Sequence, residues 1–580
     1  MSKKQKLELT WIGKGDEPTL EPRILIEDPE KSSGDPESEN MLIHGDNLLA
    51  LKALEQNYSE KIKCIYIDPP YNTGSAFEHY DDNLEHSIWL GLMRSRITYL
   101  HKLLTVDGAM YVQIDDQEFA YLKVLCDEIF GRDNFINCIT VKTKTSSGAS
   151  GGGEDKKLKK HTEFILLYAK NRDNFTFKPI YVDKDLMEVI ENKRDDGKQF
   201  EYKKVMFDEG VKTHFKTIKD GSGANIEIFK HSNYLVKSIS QIVKDEKITE
   251  ADAYFKYFEK VFRGQPAQSS IRTRVNEATS NDRELYSIAY TPRSGKRKGQ
   301  LAVNYYLNCD LVNWLSDTAI KTKSGVKKRE KLGTLWVDLS WNGLSSQGGV
   351  KFSNGKKPEL LIQRILTLNT QKGDYVLDSF LGSGTTAAAA HKMGRKWIGI
   401  ELGEHAYTHC LPRLRNVVSG KDQSGISVLT GWAGGGGFKF YELASSLLAQ
   451  DEHGNWVISK DYDANMLAHA MAKQEGFTYD PSQSTYWKQG FSTENDFIFT
   501  TTQHITVELL DAIHSSMQIG ESLLIACKAF DGAYKDRYDN ITIKKIPHIL
   551  LGRCEFGKDD YSLNISEPTE ADSENTGVEL

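Results

Sequence analysis

The stretch YIDPPYNTG, residues 66–74, ends an apolar run with an aspartate, two prolines and a tyrosine. The Asp68 carboxylate can accept a hydrogen bond from an exocyclic amine, and Pro69 has a carbonyl oxygen but no competing amide hydrogen. Pro70 completes the turn, and Tyr71 offers a flat face on which a base drawn out of a duplex can stack. A Pro-Pro turn after a strand is also typical of an ordinary loop. The pattern thus leaves open a plain loop or a site for an amino-bearing heterocycle.

A second candidate site lies in VLDSFLGSGTT, residues 376–386, where a predicted strand runs into closely spaced glycines and then a helix. Glycine permits the tight turn and the close backbone approach that a nucleotide-like ligand needs. The chain has neither GxGxxG nor GxxxxGK[ST], so a dinucleotide or ATP phosphate site has little support. Asp378, at the strand end, would repel phosphates. It suits a ligand with a cationic amino group and ribose hydroxyls.

A third acid, Glu401, ends the next predicted strand in GIELGEHAY. It follows Asp378 by about the ~20 residues at which nucleoside-binding folds place a ribose-binding carboxylate. Together the two acids fit S-adenosylmethionine. Taken singly, each acid could equally cap the helix that follows it.

The elements around these sites alternate between strand and helix. IKCIYID, 62–68, is a near-continuous apolar run, as expected for a parallel strand covered on both faces. Strands are also predicted in MLIHGDN, GAMYVQID, DYVLDSF and KWIGIEL, and helices between them in NLLALKALEQNY, EHSIWLGLMRSRITYLHKLL, FAYLKVLCDEIF, KKPELLIQRILTL and AAAAHKM. This order predicts a doubly wound, Rossmann-like α/β sheet.

Interruptions of this alternation predict the domain organisation. EDPEKSSGDPESEN cannot bury a core, so the N-terminal region is expected to be an extended or partly ordered arm. A GGGG run at 434–437 marks a boundary before a C-terminal α+β domain. The predicted parts are an arm (1–40), the first α/β half (41–170), an insert (171–335), the second α/β half (336–430), a C-terminal domain (431–565) and a disordered tail (566–580).

Charge is unevenly distributed although the net charge is only −7. Residues 137–336 carry roughly a dozen more basic than acidic side chains, and 431–580 roughly a dozen more acidic than basic ones. Phosphate contacts are expected from the clusters RSGKRKGQ (293–300) and KTKSGVKKREK (321–331), and from the Gly/Ser-rich basic loop 142–160. A charge run is also typical of any solvated face. We expect the insert to be the region that recognises nucleic acid.

The apolar runs, the N-terminal residues and the cysteines disfavour several classes of protein. No apolar run approaches the ~20 residues of a membrane-spanning helix, and the N-terminus has no apolar core of a secretory signal. Seven scattered cysteines without CxxC spacing disfavour a disulfide framework or a zinc site, and no other metal site is predicted. A cytoplasmic protein is expected.

At this point the residues resemble a known family. DPPY at 68–71 and the F-x-G-x-G of Phe380, Gly382 and Gly384 are similar to the two signatures of amino-methylating DNA methyltransferases. Their order, with the cofactor glycines after an insert, resembles the permuted β group. HGDN at 44–47 fits the same pattern. YIDPPYNTGSAFEHYDDNLEHSIWLGLMRSRI, VQIDDQE, LTWIGK and RILIEDPEK resemble the modification (Mod) subunits of bacterial type III restriction-modification systems.

This resemblance implies a function for each matching residue. A methyl group would pass directly from S-adenosylmethionine to N6 of a flipped adenine, with Asp68 and the Pro69 carbonyl holding the amine and Tyr71 stacking the base. Asp46 would contact the cofactor adenine. Phe380, Gly382, Gly384 and Thr385, which opens the following helix, would complete the cofactor site with Asp378 and Glu401. The insert would hold the target-recognition domain.

The resemblance also implies partners, and it leaves alternatives. It implies double-stranded DNA as the substrate, a homodimer, and a separate Res subunit for any ATP-dependent translocation and cleavage. The alternatives are a solitary methyltransferase, methylation of cytosine N4, a recognition subunit without activity, and an RNA methyltransferase. Methylation at carbon five of cytosine is disfavoured because the chain contains no Pro-Cys dipeptide.

Overall fold

The computed structural model describes residues 8–71, 82–143, 158, 160–221, 223–266, 270–292, 299–352 and 355–561, with the backbone alone at 82–85. Most of the predicted basic loop at 142–160, residues 293–298 of one basic cluster and the predicted tail at 566–580 lie outside these ranges. The chain divides into two compact units. One comprises Met1–Lys178 with Gly333–Leu580, and the other comprises Pro179–Leu332. No described helix is long and apolar enough to cross a membrane.

The first part of the larger unit alternates strands and helices. Its strands are β1 (Leu25–Gly34), β2 (Met41–His44), β3 (Ile62–Ile67), β4 (Leu104–Ile114), β5 (Phe135–Lys142) and β6 (Thr162–Ala169). Its helices are α1 (Asn47–Tyr58), α2 (Asp82–Leu103) and α3 (Phe119–Phe130).

The smaller unit, Pro179–Leu332, contains an eight-stranded antiparallel sheet and a three-stranded sheet. Its strands are β7 (Tyr181–Asp185), β8 (Lys204–Asp208), β9 (Val211–Lys219), β10 (Asn225–Ser232), β11 (Leu235–Ser238), β12 (Val261–Gln265), β13 (Leu285–Tyr290), β14 (Ala302–Leu307), β15 (Asp310–Trp314), β16 (Ala319–Thr322) and β17 (Gly325–Lys331). Its helices are α4 (Leu186–Asp195), α5 (Ile239–Glu246), α6 (Glu250–Lys256) and α7 (Ser270–Ala278). This unit replaces the slightly longer insert predicted at 171–335.

The chain then returns to the larger unit. The next elements are β18 (Leu335–Trp336), α8 (Glu359–Asn369), β19 (Tyr375–Asp378), α9 (Thr385–Lys392), β20 (Lys396–Glu401), α10 (Leu411–Val418), α11 (Ser427–Thr430) and β21 (Gly437–Leu443). The last are β22 (Leu448–Gln450), β23 (Trp456–Ile458), α12 (Ala464–Gln474), β24 (Thr478–Tyr479), β25 (Gly490–Thr493), β26 (Asp496–Ile505), α13 (Val507–Ser516), β27 (Ser522–Phe530) and β28 (Ile541–Lys545).

The central sheet has ten strands in the order β1-β21-β2-β20-β19-β3-β4-β6-β5-β18. Strands β2, β20, β19, β3 and β4 run parallel, and β6 runs antiparallel to β4. This arrangement confirms the predicted doubly wound α/β sheet. Strands β19 and β20, from late in the chain, lie between β2 and β3 from its beginning. The carboxyl ends of β3 and β19 are therefore neighbours, although an insert separates them in sequence.

The core of this sheet explains its apolar strands. Ile62, Ile65 and Ile67 of β3 and Val112 of β4 are fully buried in one cluster with side chains of α1, α2 and α3. On the late strands, Val376 and Leu377 are equally buried. Strands covered on both faces need apolar side chains at successive positions. The core thus holds the strand ends, and the polar residues after them, in fixed positions.

One strand of this sheet comes from the region predicted to be an arm. β1 pairs antiparallel with β21 along Leu25↔Leu443 to Gly34↔Gly437, with a bulge between Asp28 and Ser33. Because an edge strand has a partner on one side only, it tolerates a proline such as Pro29 and many polar side chains. Composition indicates side-chain burial only, so the predicted arm did not include this backbone pairing. β21 likewise joins the central sheet, although the C-terminal domain was predicted to begin at 431.

The last described residues return to the beginning of the chain. Leu20 pairs with Glu555, and the guanidinium of Arg23 donates a hydrogen bond to the carbonyl oxygen of Lys558 at 2.7 Å. Tyr561 packs with Leu20 and with the start of α1. We call residues 555–561 the C-terminal strap. It joins the N-terminal segment to the helix that follows β2.

Candidate active site

A cavity of about 350 Å³ opens where β3 and β19 end, and both sequence-predicted sites line it. From the first site, the lining residues are Asp68, Pro69, Pro70 and Tyr71; from the second they are Asp378, Phe380, Gly382 and Thr385. The two motifs meet because their strands pair in parallel as neighbours. Ligands of open α/β sheets bind at this position, outside the carboxyl ends of the strands.

Asp68 has a different partner on each carboxylate oxygen. Oδ2 lies 2.9 Å from Nζ of Lys357, and Oδ1 accepts a hydrogen bond from the Tyr71 hydroxyl at 2.7 Å. Burial raises the pKa of the Asp68 carboxyl, Lys357 counteracts this rise, and the nearby carboxylate of Glu163 adds to it. The acid predicted to hold an amine is therefore partly buried, paired with a cation and close to a second acid.

Glu163, on β6, extends this polar cluster. Its Oε2 lies 2.9 Å from the Tyr71 hydroxyl and 3.5 Å from Nζ of Lys357. The Gln113 amide donates to the same oxygen at 2.5 Å, and the Tyr66 hydroxyl donates to Gln113 at 2.7 Å. Burial and the two carboxylates raise the pKa of Tyr71, so its hydroxyl keeps its proton.

The carbonyl groups of the Pro-Pro turn have different environments. Nε1 of Trp89, a fully buried side chain on α2, donates to the Pro70 carbonyl at 2.9 Å. No donor to the Pro69 carbonyl occurs among the described residues. Trp89 thus anchors the turn through Pro70, and the Pro69 carbonyl is left as an acceptor beside Asp68.

The glycine turn after β19 is held by Asp378. Its Oδ1 accepts a hydrogen bond from the Phe380 N–H at 3.0 Å, and its Oδ2 accepts one from the Thr386 hydroxyl at 2.6 Å. Burial raises the pKa of Asp378 to about 7, against the effect of these donors. Gly382 has a φ of +56°, and a Cβ added there would meet no atom within 4 Å. The turn thus leaves room for a ligand against its backbone.

Glu401 contacts the same turn from the end of β20. It accepts hydrogen bonds from the N–H groups of Gly382 at 2.7 Å and Gly403 at 3.2 Å. Burial raises the pKa of its carboxyl, and the two N–H groups oppose this rise. Glu401 does not line the cavity, and neither does Gly384, whose added Cβ would lie 3.4 Å from Cys410.

A buried charge network supports the glycine turn from beneath. Arg413, on α10, donates to the Ser383 carbonyl at 3.1 Å and to the Thr385 hydroxyl at 2.8 Å. Its guanidinium also pairs with Glu359 at 2.8 Å, and Glu359 pairs with Lys392 at 2.9 Å. All three charged side chains are fully buried. The network fixes the backbone from which Thr385 and α9 begin.

Asp46 lies apart from the cavity. It caps α1, with Oδ1 accepting the Leu49 N–H at 3.0 Å. Its Oδ2 accepts the Tyr561 N–H at 3.0 Å and lies 3.4 Å from Nη2 of Arg96. In this structure the carboxylate is thus occupied by the C-terminal strap and by a buried arginine. The side-chain amide of the neighbouring Asn47 donates a hydrogen bond to the carbonyl oxygen of Ser379, just before the glycine turn, at 2.7 Å.

Two further charge clusters lie within the smaller unit. The predicted basic cluster at 321–331 forms β16 and β17, where Arg329 pairs with Asp183 at 2.9 Å and Glu330 with Lys184 at 2.9 Å. Ion pairs within the smaller unit therefore neutralise part of the positive charge of that cluster. The edge strand β9, VKTHFKTIK, is exposed at every position except Ile218. Its three lysines, Lys212, Lys216 and Lys219, and the absence of acidic residues make this strand basic, a feature that the sequence reasoning did not single out.

Lys357 and Glu163 are the main residues of the cavity cluster that sequence reasoning missed. Glu163 stands beside the apolar residues of HTEFILLYAK, and an isolated charge next to such an apolar run was the available signal. Lys357 precedes Pro358, the N-cap residue of α8. Its neighbour Lys356 donates to the carbonyls of Gln347 at 2.5 Å and Val350 at 2.8 Å. The segment 341–350 is thus fastened to the residue next to Lys357.

A protein-family profile and the similar known proteins agree on the family of this chain. The DNA methylase family profile matches residues 62–410. The probable type III restriction-modification enzyme HindVI Mod subunit of Haemophilus influenzae is 43% identical over 417 residues, which cover 71% of this chain and 55% of that protein. The EcoPI Mod subunit of Escherichia phage P1 is 27% identical over 434 residues, which cover 68% and 62%. The chain thus spans little more than half the length of these relatives.

Proposed function

The chain belongs to the DNA methylase family, and we propose that it transfers the methyl group of S-adenosylmethionine to N6 of adenine in double-stranded DNA. One observation supports this proposal above others: the Asp68 turn and the glycine turn at Gly382 line a single cavity. The first turn offers acceptors for an amine, and the second offers a backbone that a cofactor can approach closely.

The residues of the second turn fit this cofactor. Asp378 would supply a buried carboxylate and Glu401 a partly buried one for a cationic amino group and for ribose hydroxyls, and Gly382 leaves open space above the turn. The hydroxyl of Ser379 is buried and has no hydrogen-bond partner among the described residues. When bound, the cofactor supplies an electrophilic methyl group on a sulfonium. Phe380 and Thr385, which line the cavity, would contact it.

The first turn positions the target base. The amine would donate hydrogen bonds to Asp68 and to the Pro69 carbonyl, which aims the nitrogen lone pair across the cavity, and Tyr71 would stack on the flipped base. In the transfer that these residues would orient, the nitrogen would bond to the methyl carbon, and the electron pair of the broken carbon–sulfur bond would stay on sulfur. The amine then releases a proton, for which Asp68 is the adjacent acceptor. Positioning contributes most of the rate in such a displacement.

The assembly is part of the same proposal. The names of the HindVI and EcoPI relatives favour a Mod subunit of a type III restriction-modification system, acting in the cytoplasm with a Res subunit for translocation and cleavage. We further propose that two copies form a homodimer. Residues 179–332, with the exposed basic strand β9, would serve as the target-recognition domain.

A methyl-transfer assay tests the chemistry. Duplex DNA incubated with the protein and tritiated S-adenosylmethionine should become labelled, and Asp68→Ala should abolish labelling while the variant still binds DNA. Long-read methylome sequencing of a host carrying the gene should report N6-methyladenine within one sequence motif. Label on cytosine, equal label on RNA, or no label at all would overturn the respective part of the proposal.

A further inference from the structure

Each oxygen of the Asp68 carboxylate already has one partner, so an incoming amine has to share an oxygen with that partner or replace it. The ammonium of Lys357 holds Oδ2 at 2.9 Å, and the Tyr71 hydroxyl holds Oδ1 at 2.7 Å. Lys357 is only 8% exposed, and displacing it would leave a buried cation without its closest counter-charge. The Tyr71 hydroxyl is neutral and is the partner that is easier to displace.

Tyr71 already has a second acceptor within reach. Its hydroxyl lies 2.9 Å from Oε2 of Glu163, and a phenol has one proton, so it donates to one carboxylate at a time. A hydroxyl that leaves Asp68 therefore keeps a hydrogen bond by donating to Glu163. The Gln113 amide, 2.5 Å from the same oxygen, holds Glu163 in place for this exchange.

Resting on the proposed function, we propose that Lys357 and Glu163 are positioning residues that prepare Asp68 for the target amine. Lys357 stays on Oδ2 and keeps the carboxylate charged and oriented. Glu163 takes over the Tyr71 hydroxyl and thereby frees Oδ1. Neither residue contacts the reacting nitrogen, methyl or sulfur in this scheme.

The charges around Asp68 determine how each substitution acts on it. Among the described residues, the titratable groups that face Asp68 are Lys357, which precedes α8, Glu163 of β6, Tyr66 of β3, Tyr71 of the turn and Asp378 at the end of β19. Burial raises the pKa of Asp68, Lys357 lowers it and Glu163 raises it further. Removing the lysine charge should therefore raise the pKa of Asp68, and removing the Glu163 charge should lower it.

The pH dependence of kcat/KM for DNA, measured at saturating S-adenosylmethionine so that cofactor binding does not contribute, tests the role of Lys357. Lys357→Gln should move the acidic limb of the profile upward by about 1–3 pH units, the effect expected for loss of a close opposite charge. Lys357→Arg should restore most of the wild-type profile, and Glu163→Gln should move the limb downward. The matched control Lys102→Gln removes an exposed lysine paired with Glu55, and it should leave the profile unchanged. An unshifted limb in K357Q would overturn the inference.

A double-mutant cycle tests the role of Glu163 separately. In the Y71F background no hydroxyl needs a new acceptor, so E163Q should reduce kcat by a clearly smaller factor there than in the wild type. Equal factors in the two backgrounds would overturn this half of the inference.

The wild-type enzyme separates this inference from the proposed function. If the wild type transfers no methyl group, the proposed function is wrong. If it transfers methyl groups and the variants show neither the shifts nor the non-additivity, only the positioning scheme is wrong. Thermal unfolding and calorimetric titration with S-adenosylmethionine confirm that each variant is folded. Should K357Q fail to fold, the opposite shift in E163Q and the wild-type profile of K357R still decide the question.

Discussion

Oε2 of Glu401 accepts a hydrogen bond from the backbone N–H of Gly382 at 2.7 Å. The acid that ends β20 therefore fixes the turn that ends β19. A carboxylate at this position would meet the ribose of a bound nucleoside and would also set the shape of the backbone beside it. Its contribution to cofactor binding is thus expected to exceed that of one direct contact.

Loss of Glu401 should weaken cofactor binding strongly. Glu401→Ala removes a charged acceptor from two backbone N–H groups, an interaction worth about 1.5–3 kcal/mol, so the affinity for S-adenosylmethionine should fall about 10- to 100-fold. Isothermal titration calorimetry measures this change. Glu404→Ala, at an exposed position three residues later, is the control and should bind normally. Normal binding by E401A would contradict the predicted role.

Cofactor binding should depend on pH through Asp378. Burial raises the pKa of this acid to about 7, so the neutral form predominates below that pH. A ligand with a cationic amino group favours the carboxylate. Affinity should therefore increase, by up to about tenfold per unit, as the pH rises towards 7, and level off above it. Titrations from pH 5.5 to 8.5 measure this. The same slope in Asp378→Asn would exclude Asp378 as its source.

The charge network beneath the glycine turn should contribute to stability. Arg413→Met removes one of the two buried cations that pair with Glu359, and it also removes the buried donor to the Thr385 hydroxyl; breaking such a pair costs about 3–5 kcal/mol of unfolding free energy. Urea denaturation of the full chain should show the lower midpoint. Arg415→Met, on the exposed face of the same helix, should change the unfolding free energy by less than about 1 kcal/mol. Equal midpoints for the two variants would contradict the prediction.

The exposed edge strand β9 should contact DNA phosphates. Replacing Lys212 and Lys216 with glutamine should weaken binding of every duplex similarly and reduce the slope of log K against log salt by nearly 2, about 0.9 for each lost contact. Fluorescence anisotropy measured between 50 and 200 mM salt gives this slope, because binding through phosphate contacts weakens strongly over that range.

Lysines on an edge strand also prevent pairing with other strands, so the salt slope is the deciding quantity for β9. The double variant Lys460→Gln with Lys535→Gln removes two exposed lysines from the C-terminal region and is the matched control. An unchanged slope in the β9 variant would show that those lysines protect an edge and do not bind DNA.

The sheet and both turns were predictable because they depend on local patterns. Apolar runs such as 62–67 specify buried strands, and the residues directly after them, Asp68 and Asp378, must lie at the carboxyl edge of a parallel sheet. That edge is a property of the topology, so a doubly wound sheet already places both residues on it, whereas the direct pairing of their strands is a finding of the structure.

The partners of these residues were not predictable in the same way. Lys357 reaches Asp68 from a loop before α8, and Arg413 reaches Thr385 from a helix much later in the chain. Such contacts depend on how side chains pack in three dimensions, and lysines and arginines elsewhere in the chain are mostly on the surface. Asp46 shows the converse: its place after β2 was legible, but its pairing with Tyr561 was not.

The pairing of β1 with β21 has a consequence for synthesis of the protein. β1 leaves the ribosome early, whereas β21 is made only after the insert and the second α/β half. At a synthesis rate of about 5–20 residues per second, β1 stays without its partner β21 for tens of seconds. We expect the polar, proline-containing sequence of β1 to prevent it from pairing with strands of other chains during translation.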